Sequence, residues 1–433
     1  MIKKITFTIT VFLVLVLSSV LGQDVLKIVP VDSKGVVYIK NLDDTYNDLK
    51  TVPTLKTLLL EPFNAELLIS SFAQIYFNAL KIDFQSFINQ LDVDLAVFVQ
   101  EPREKSYEFG FSIGPINNPE AFAKDLDKLL EPLKDYGLVF TPIVENIGGL
   151  SYLAMVQDKN LYSSSKKGVE DFEEIIYSDS GLYYRINTSD YQGEGYFYPK
   201  DGFLVGGGIG TANTESIDVT FVKSPQEVPF FGNMFFTSSL IPNDIANYSD
   251  LINIVVDYEI AEKLINSSKG IEVNADLQIT DNLSEISNNN YLKLKTEVKV
   301  DDIIPILNEN NIKHKKINEN MLEFYIESET TNQNSGKTTV TQTFYVWKNE
   351  FLYVSVKNPD ELQKVINTKP RLSENDLFNK LSQRIGIGDV AYVFVDLTPI
   401  FRNYVPNLKG QYGFLVNVTL VEKNKLKTDF IVQ

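Results

Sequence analysis

The residue types that carry most enzyme and metal chemistry are scarce in this chain. Cysteine is absent and His314 is the only histidine, so thiolate or multi-histidine metal sites and a serine–histidine triad cannot form within one chain. The remaining candidates are acids, 57 in all, including four close pairs: Asp43 with Asp44, Asp92 with Asp94, Glu173 with Glu174, and Asp301 with Asp302. A glycosidase needs only two carboxylates at a set separation. We therefore predict no enzyme, no metal and no cofactor, with a carboxylate-based glycan hydrolase as a distant alternative.

Three short motifs resemble catalytic or phosphate-binding signatures, and each lacks a required part. Gly336-Lys337-Thr338 has Thr331 where a phosphate loop needs its first glycine. Gly206–Gly210 follows a strand pattern, but Thr211 stands where a dinucleotide loop has its third glycine. Ser163-Ser164-Ser165-Lys166 lies in a polar stretch with no apolar periodicity. We interpret them as a hairpin tip, a bulge or close backbone approach, and a surface loop, respectively.

The N-terminal sequence predicts export. Lys3 and Lys4 precede an apolar run at residues 5–17, and small residues lead to Gly22, which together are typical of a secretory signal peptide at residues 1–22. An uncleaved N-terminal membrane anchor is the alternative. We expect a periplasmic or extracellular protein without a transmembrane span in the mature chain, which would begin at Gln23.

The composition predicts a folded acidic protein. The net charge is −17, while hydrophobic residues make up 44% of the chain and aromatic residues 12%. This apolar content is that of a globular protein. A strongly negative surface repels nucleic acid and anionic lipid headgroups, so we expect no nucleic-acid partner.

Self-comparison of the chain predicts an α+β fold of two related lobes, residues 23–245 and 246–433. An alternating strand pattern at residues 107–113 precedes a helix start at Asn118-Pro119, and a similar pattern at residues 291–298 precedes a helix start at Asp301-Asp302. Aromatic hairpins follow at residues 195–205 and 343–354. Residues 252–257 form another strand pattern, and Asn358-Pro359 predicts a further helix start directly after the later hairpin. We predict that each lobe is a mostly antiparallel sheet with helices packed on one face.

A helical insertion at about residues 53–91 belongs to the first lobe alone. Its apolar and aromatic residues exceed one narrow stripe, which predicts helices buried on more than one side. The pattern favours an internal helical layer; the alternative is a lining for an apolar ligand or a partner's groove. A second aromatic cluster lies near the lobe boundary. The two regions supply the candidate ligand-binding residues Phe63, Phe72, Tyr76, Phe84, Phe87, Phe230, Phe231, Phe235 and Phe236.

A segment with the form Pro-x-Asp precedes the first strand pattern. It is Val29-Pro30-Val31-Asp32, and residues 36–41 follow as a strand that ends in Asn41. With the preceding signal and the strand–helix repeats, this resembles exported bacterial α/β-repeat proteins of unknown function. The resemblance implies an envelope location and assigns no functional residues.

These observations predict an exported, non-enzymatic protein that is a structural or protein-interaction component of the bacterial cell envelope. A soluble carrier or sensor that binds an apolar ligand is the alternative. The expected partner is accordingly an envelope protein or an apolar small molecule.

Overall fold

The chain forms two compact units, one of residues 1–213 with Gln433 and one of residues 214–432. The computed structural model of the protein describes residues 23–40, 42–90, 93–103, 106–170, 172, 181–189, 191–212, 219, 221–230, 232–239, 268–276, 290–332 and 336–433. The sequence places the lobe divide later, between residues 245 and 246. The difference arises because the strand Met234–Ser238 pairs with two strands of the second unit.

The first unit is built on an antiparallel sheet with eight described strands. They are β1 (Gly35–Lys40), β2 (Asp94–Arg103), β3 (Ser106–Gly114), β4 (Thr141–Ile147), β5 (Leu150–Val156), β6 (Gly181–Asn187), β7 (Tyr191–Lys200) and β8 (Phe203–Ala212). Neighbouring strands pair in the order β4-β5-β3-β2-β1-β6-β7-β8. The first strand in the sequence therefore lies in the middle of the sheet.

Helices cover both faces of this sheet. They are α1 (Leu42–Leu49), α2 (Pro53–Leu59), α3 (Ala65–Ala79), α4 (Phe84–Ile88), α5 (Pro119–Leu130) and α6 (Lys159–Ser164), with 3-10 helices at Gln23–Ile28 and Glu131–Tyr136. On one face, Ile39 and Leu95 pack with buried residues of α3, α4 and α5. On the other face, Tyr38 and Ala96 pack with the first 3-10 helix and with Tyr162 of α6.

The second unit contains ten described strands, again all antiparallel. They are β9 (Met234–Ser238), β10 (Ser268–Ala275), β11 (Tyr291–Thr296), β12 (Lys313–Asn318), β13 (Met321–Asn332), β14 (Gly336–Lys348), β15 (Leu352–Ser355), β16 (Ala391–Asp396), β17 (Gly413–Glu422) and β18 (Lys425–Val432). Their order is β12-β13-β14-β15-β11-β10-β9-β16-β17-β18.

Helices lie on both faces of the second sheet as well. They are α7 (Ile304–Glu309), α8 (Pro359–Thr368), α9 (Asp376–Ile385) and α10 (Thr398–Tyr404), with 3-10 helices at Val300–Ile303 and Leu372–Glu374. Leu292 packs with Leu307 of α7, whereas its neighbour Tyr291 packs with Leu362 of α8. Side chains of successive strand residues point to opposite faces. The predicted α+β class with antiparallel sheets is confirmed, but helices cover two faces of each sheet where the sequence predicts one.

The two sheets share an order of connections. In the first unit, β5 returns to pair with β3, and β6 returns to pair with β1. In the second, β15 returns to pair with β11, and β16 returns to pair with β9. By this order the hairpin β7–β8 corresponds to the hairpin β17–β18. The match that we made from the sequence, between the hairpins at residues 195–205 and 343–354, was therefore wrong. Relatedness of the two lobes stays a prediction, and the predicted strand at residues 252–257 lies outside the described residues.

Asparagine caps begin three of the longer helices. The side chain of Asn118 accepts a hydrogen bond from the amide of Ala121 at 3.2 Å, and Asn358 accepts one from the amide of Glu361 at 3.0 Å. Each side chain satisfies an amide that has no partner inside the helix. Both predicted helix starts are confirmed, and Asn375 caps α9 in the same way without having been predicted.

Candidate interaction surface

The helix α3 places its inner side against the first unit's core. Ala73 and Phe77 are buried, and Tyr76 is half-buried beside them. At the start of the helix, Glu66 pairs with Lys50 at 3.5 Å between carboxylate oxygen and Nζ. An acid in the first turn also suits the positive end of the helix dipole.

The outer side of the same helix is apolar and exposed. Leu67, Leu68, Phe72 and Ile75 have exposed fractions of 65%, 56%, 57% and 67%. At about 100° of rotation per residue, these four lie within an arc of about 140°. We call this set of four residues the outer α3 surface. The prediction that these helices are buried on more than one side is wrong for α3, because the sheet and the neighbouring helices cover only its inner side.

Polar groups on the outer side of α3 are partly satisfied within the helix. The hydroxyls of Ser70 and Ser71 donate to the carbonyl oxygen of Leu67 at 3.1 and 2.7 Å. No charged residue occurs from Leu67 to Ala79. Because a polar group that already has a partner costs less to remove from water, this side of the helix can be covered by an apolar partner at modest cost.

The candidate ligand-binding residues of the first unit divide between core and surface. Phe84 and Phe87 pack edge-on against Phe77, at 5.2 and 5.1 Å between ring centroids. Phe87 also stacks on Phe122 at 4.9 Å. These rings contact one another directly, as in a packed core. Of the other candidates, Phe72 belongs to the outer α3 surface, whereas Phe63 is half-buried.

Tyr76 is half-buried and packs against the core of the first unit. Its hydroxyl donates to the carbonyl of Leu129 at 3.5 Å. Burial, followed by the negative charge of Glu131, raises the pKa of Tyr76 above its ordinary value. The phenol therefore stays neutral at physiological pH and is a hydrogen-bond donor at the edge of the core.

The second predicted aromatic cluster lies in the second unit and is not one site. Phe230 and Phe235 are buried against other rings, Phe394 and Tyr392, each at 5.4 Å between centroids. Phe236 points to the opposite face of β9 and packs with the core there. Phe231 lies outside the described residues. The eight candidates that the structure describes therefore divide between the two units and, within the second, between two sheet faces.

A buried charged cluster in the second unit has no counterpart among the sequence-predicted sites. Lys293 Nζ lies 3.1 Å from a carboxylate oxygen of Glu272, and the two side chains are only 5% and 6% exposed. The hydroxyl of Tyr291 donates to the second carboxylate oxygen at 2.7 Å. The rings of Phe221 and Phe351 lie 5.1 and 4.5 Å from the Lys293 ammonium. The acid and the lysine neutralise each other away from solvent, so the arrangement is structural in character.

The electrostatics of this cluster keep its phenol neutral. Burial first, and then the carboxylate of Glu272, raise the pKa of Tyr291 well above its ordinary value. The sequence signal for the cluster was the alternation at residues 291–296, in which Lys293 shares a face with Tyr291. Such alternation usually places lysine in solvent, which is why the sequence did not point to a buried pair.

Two members of the predicted acid pairs, Asp94 and Asp301, contact neighbouring side chains. Asp94 is fully buried and accepts a hydrogen bond from the hydroxyl of Tyr38 at 2.5 Å, while Asp301 pairs with Lys316. Asp92, Glu173 and Glu174 lie outside the described residues. Within the described part of the chain, no group of three or more His, Cys, Asp or Glu residues is placed to hold a metal ion. No described helix is long and apolar enough to cross a bilayer.

The glycine run at residues 206–210 lies inside β8, beneath aromatic rings. Gly195 of β7 and Gly208 of β8 are in register with Tyr184 of β6. A Cβ added at either glycine would come within 2.5 Å of the Tyr184 hydroxyl oxygen. The glycines therefore allow the phenol ring to lie flat across two strands.

Comparison with known proteins adds little to these observations. No protein family and no curated protein matches the chain. The crystal structure of TP0453 (crystal form III) aligns over 49% of this chain and 94% of that chain, at 10% identity and a TM-score of 0.24. A likeness at that level establishes neither a shared fold nor a shared function. The resemblance to exported bacterial repeat proteins stays a prediction.

Proposed function

We propose that the protein is an exported, non-enzymatic component of the bacterial cell envelope that acts by binding through the outer α3 surface. The observation that carries this proposal is the exposure of four large apolar side chains on one side of one helix. Contiguous exposed apolar patches on soluble domains mark interaction sites more often than single exposed residues do.

The energetics support a binding role for this surface. Covering one large apolar side chain that is more than half exposed contributes about 1–2 kcal/mol, so the four residues together favour association. The neutral stretch from Leu67 to Ala79 carries no charge that would have to be desolvated. By contrast, the rings of Phe77, Phe84 and Phe87 pack on one another, which supports a surface site over an internal carrier site.

The test follows the protein in cells of its own source. We expect the chain in the envelope fraction, accessible to protease outside the cytoplasmic membrane. The double variant Leu68→Ser/Phe72→Ser should move to the released, freely soluble fraction. Tyr107→Ser/Phe109→Ser is the matched control, because those residues of β3 are similarly exposed, at 50% and 44%, and it should stay in the envelope. A cytoplasmic location, or equal retention of all three proteins, would contradict the proposal.

A further inference from the structure

We propose that the outer α3 surface binds the surface of an uncharged, zwitterionic lipid bilayer, with the helix lying parallel to the membrane plane. This inference rests on the proposed function and identifies the partner by its chemistry. Three properties of the helix carry it: the size of the surface, its charge, and the state of its polar groups.

The surface is small for a protein partner. From the exposed fractions of Leu67, Leu68, Phe72 and Ile75, and roughly 200 Å² for a large apolar side chain in the open, its area is about 490 Å². A stable protein–protein interface covers about 800 Å² on each partner. A bilayer needs no such area and no matching shape, because an amphipathic helix enters only about 5–10 Å into the boundary between headgroups and acyl chains.

The charge of the helix selects the class of lipid. Helices that bind anionic membranes carry lysine and arginine on their polar face, whereas α3 has neither, and its one charged residue, Glu66, is paired with Lys50. The chain as a whole carries −17, so anionic headgroups repel it. A zwitterionic surface offers the same apolar region without that repulsion.

The polar groups on the outer side fit a headgroup boundary. The Ser70 and Ser71 hydroxyls already donate to the Leu67 carbonyl, so they enter a less polar region without losing hydrogen bonds. Gln74 and Asn78 are exposed. With a helical rotation of about 100° per residue, their side chains lie on the same margin of the outer α3 surface as Leu67. There their amides can stay hydrated among the headgroups.

The test uses the full chain and vesicles of pure phosphatidylcholine in a flotation assay. We expect weak, reversible binding on the order of 10⁴ M⁻¹, as for a single acyl anchor. Leu68→Ser/Phe72→Ser should lower the partition constant at least tenfold, because two inserted side chains are lost. The Tyr107→Ser/Phe109→Ser control should bind as the native protein does. Adding phosphatidylglycerol should weaken binding at low salt.

Circular dichroism of each variant separates loss of binding from loss of fold, and these substitutions of exposed residues should leave the spectrum unchanged. Failure of the native protein to float with vesicles, or equal flotation of the α3 variant, would overturn the lipid inference. If envelope retention in cells still depended on Leu68 and Phe72, the partner would be a protein and the proposed function would stand. If neither assay depended on these residues, both proposals would fall.

Discussion

Two ion pairs in this protein show how burial determines the contribution of a charged residue to stability. Lys293 and Glu272 are almost wholly enclosed, with Tyr291 and two phenylalanine rings around them. Lys313 and Glu327 form a shorter pair, at 2.6 Å, but their side chains are 74% and 48% exposed. Water screens the second pair and is excluded from the first.

Replacing Lys293 with methionine should therefore destabilise the protein strongly. We expect a loss of about 3–5 kcal/mol in the free energy of unfolding, because the Glu272 carboxylate is left buried without its cation. Urea unfolding measures the change. Lys313→Met is the matched control and should cost less than about 1 kcal/mol. The double variant Lys293→Met/Glu272→Leu should recover most of the loss; a double variant as unstable as the single one would contradict this account.

The phenol of Tyr184 should make stability fall at alkaline pH. Burial, and then the neighbouring Tyr191, raise the pKa of Tyr184 from 10.0 to about 12. The unfolded chain releases this proton at lower pH than the folded chain, so the stabilising contribution is complete below pH 10 and is lost as the pH rises toward 12. In urea unfolding at several pH values, Tyr184→Phe should lose less stability over that window than the native protein. Identical pH dependence would show that Tyr184 does not contribute.

The sequence identified the types of the candidate residues, but not whether each side chain is buried or exposed. The aromatic residues of the helical segment were found, but periodicity could not show that Phe72 is exposed and Phe87 buried. Which side of an apolar helix meets the core depends on the sheet beneath it, and that depends on contacts distant in sequence. The charged pair at Lys293 was missed for the same reason.

At the scale of single elements, the N-cap of α5 should be measurable by substitution. Asn118→Ala should cost about 1 kcal/mol in the free energy of unfolding, because the amide of Ala121 loses its acceptor. Asn118→Ser should retain most of the stability. The adjacent exposed residue Asn117 provides the control, since Asn117→Ala should change little. Equal effects at both positions, measured by urea unfolding, would show that the cap is unimportant.

The glycines under Tyr184 predict a contrast between two strand positions. A Cβ at Gly195 would lie 2.4 Å from the carbonyl oxygen of Gly207 and 2.5 Å from the Tyr184 hydroxyl. Gly195→Ala should therefore lower stability by about 1–3 kcal/mol. A Cβ added at Gly35 of β1 would have open space around it. Gly35→Ala should therefore be neutral or slightly stabilising. A Gly195→Ala protein as stable as Gly35→Ala in thermal unfolding would contradict the packing described.

Sequence patterns predicted well those features that depend on interactions between residues close together in the chain. Caps at Asn118 and Asn358 act within one turn, and the sequence pattern found both. Hairpins with alternating aromatic residues look alike in sequence, but the strand that each pairs with is set by long-range register. For this reason we matched the hairpins at residues 195–205 and 343–354, although they have different positions in their sheets. For the same reason the sequence pattern of β9 was interpreted only as an aromatic cluster.

On the whole-molecule scale, net charge should keep copies of the protein apart. The isoelectric point is about 4.7, so the repulsion present at neutral pH disappears near that value. We expect self-association through the outer α3 surface to increase as the pH approaches 4.7, as seen by dynamic light scattering. Leu68→Ser/Phe72→Ser should reduce the increase. An increase of the same size in that variant would place the association elsewhere on the molecule.

The measurement that tests the central claim most directly is fluorescence from a single tryptophan at position 72. Trp347 is the only native tryptophan, so Phe72→Trp in a Trp347→Phe background reports from the outer α3 surface alone, and Tyr107→Trp in the same background is the control. With phosphatidylcholine vesicles, we predict that the emission of the residue at position 72 shifts to shorter wavelength and is quenched by brominated acyl chains, while that at position 107 stays as in buffer. Unchanged emission at position 72 at saturating lipid would contradict the account.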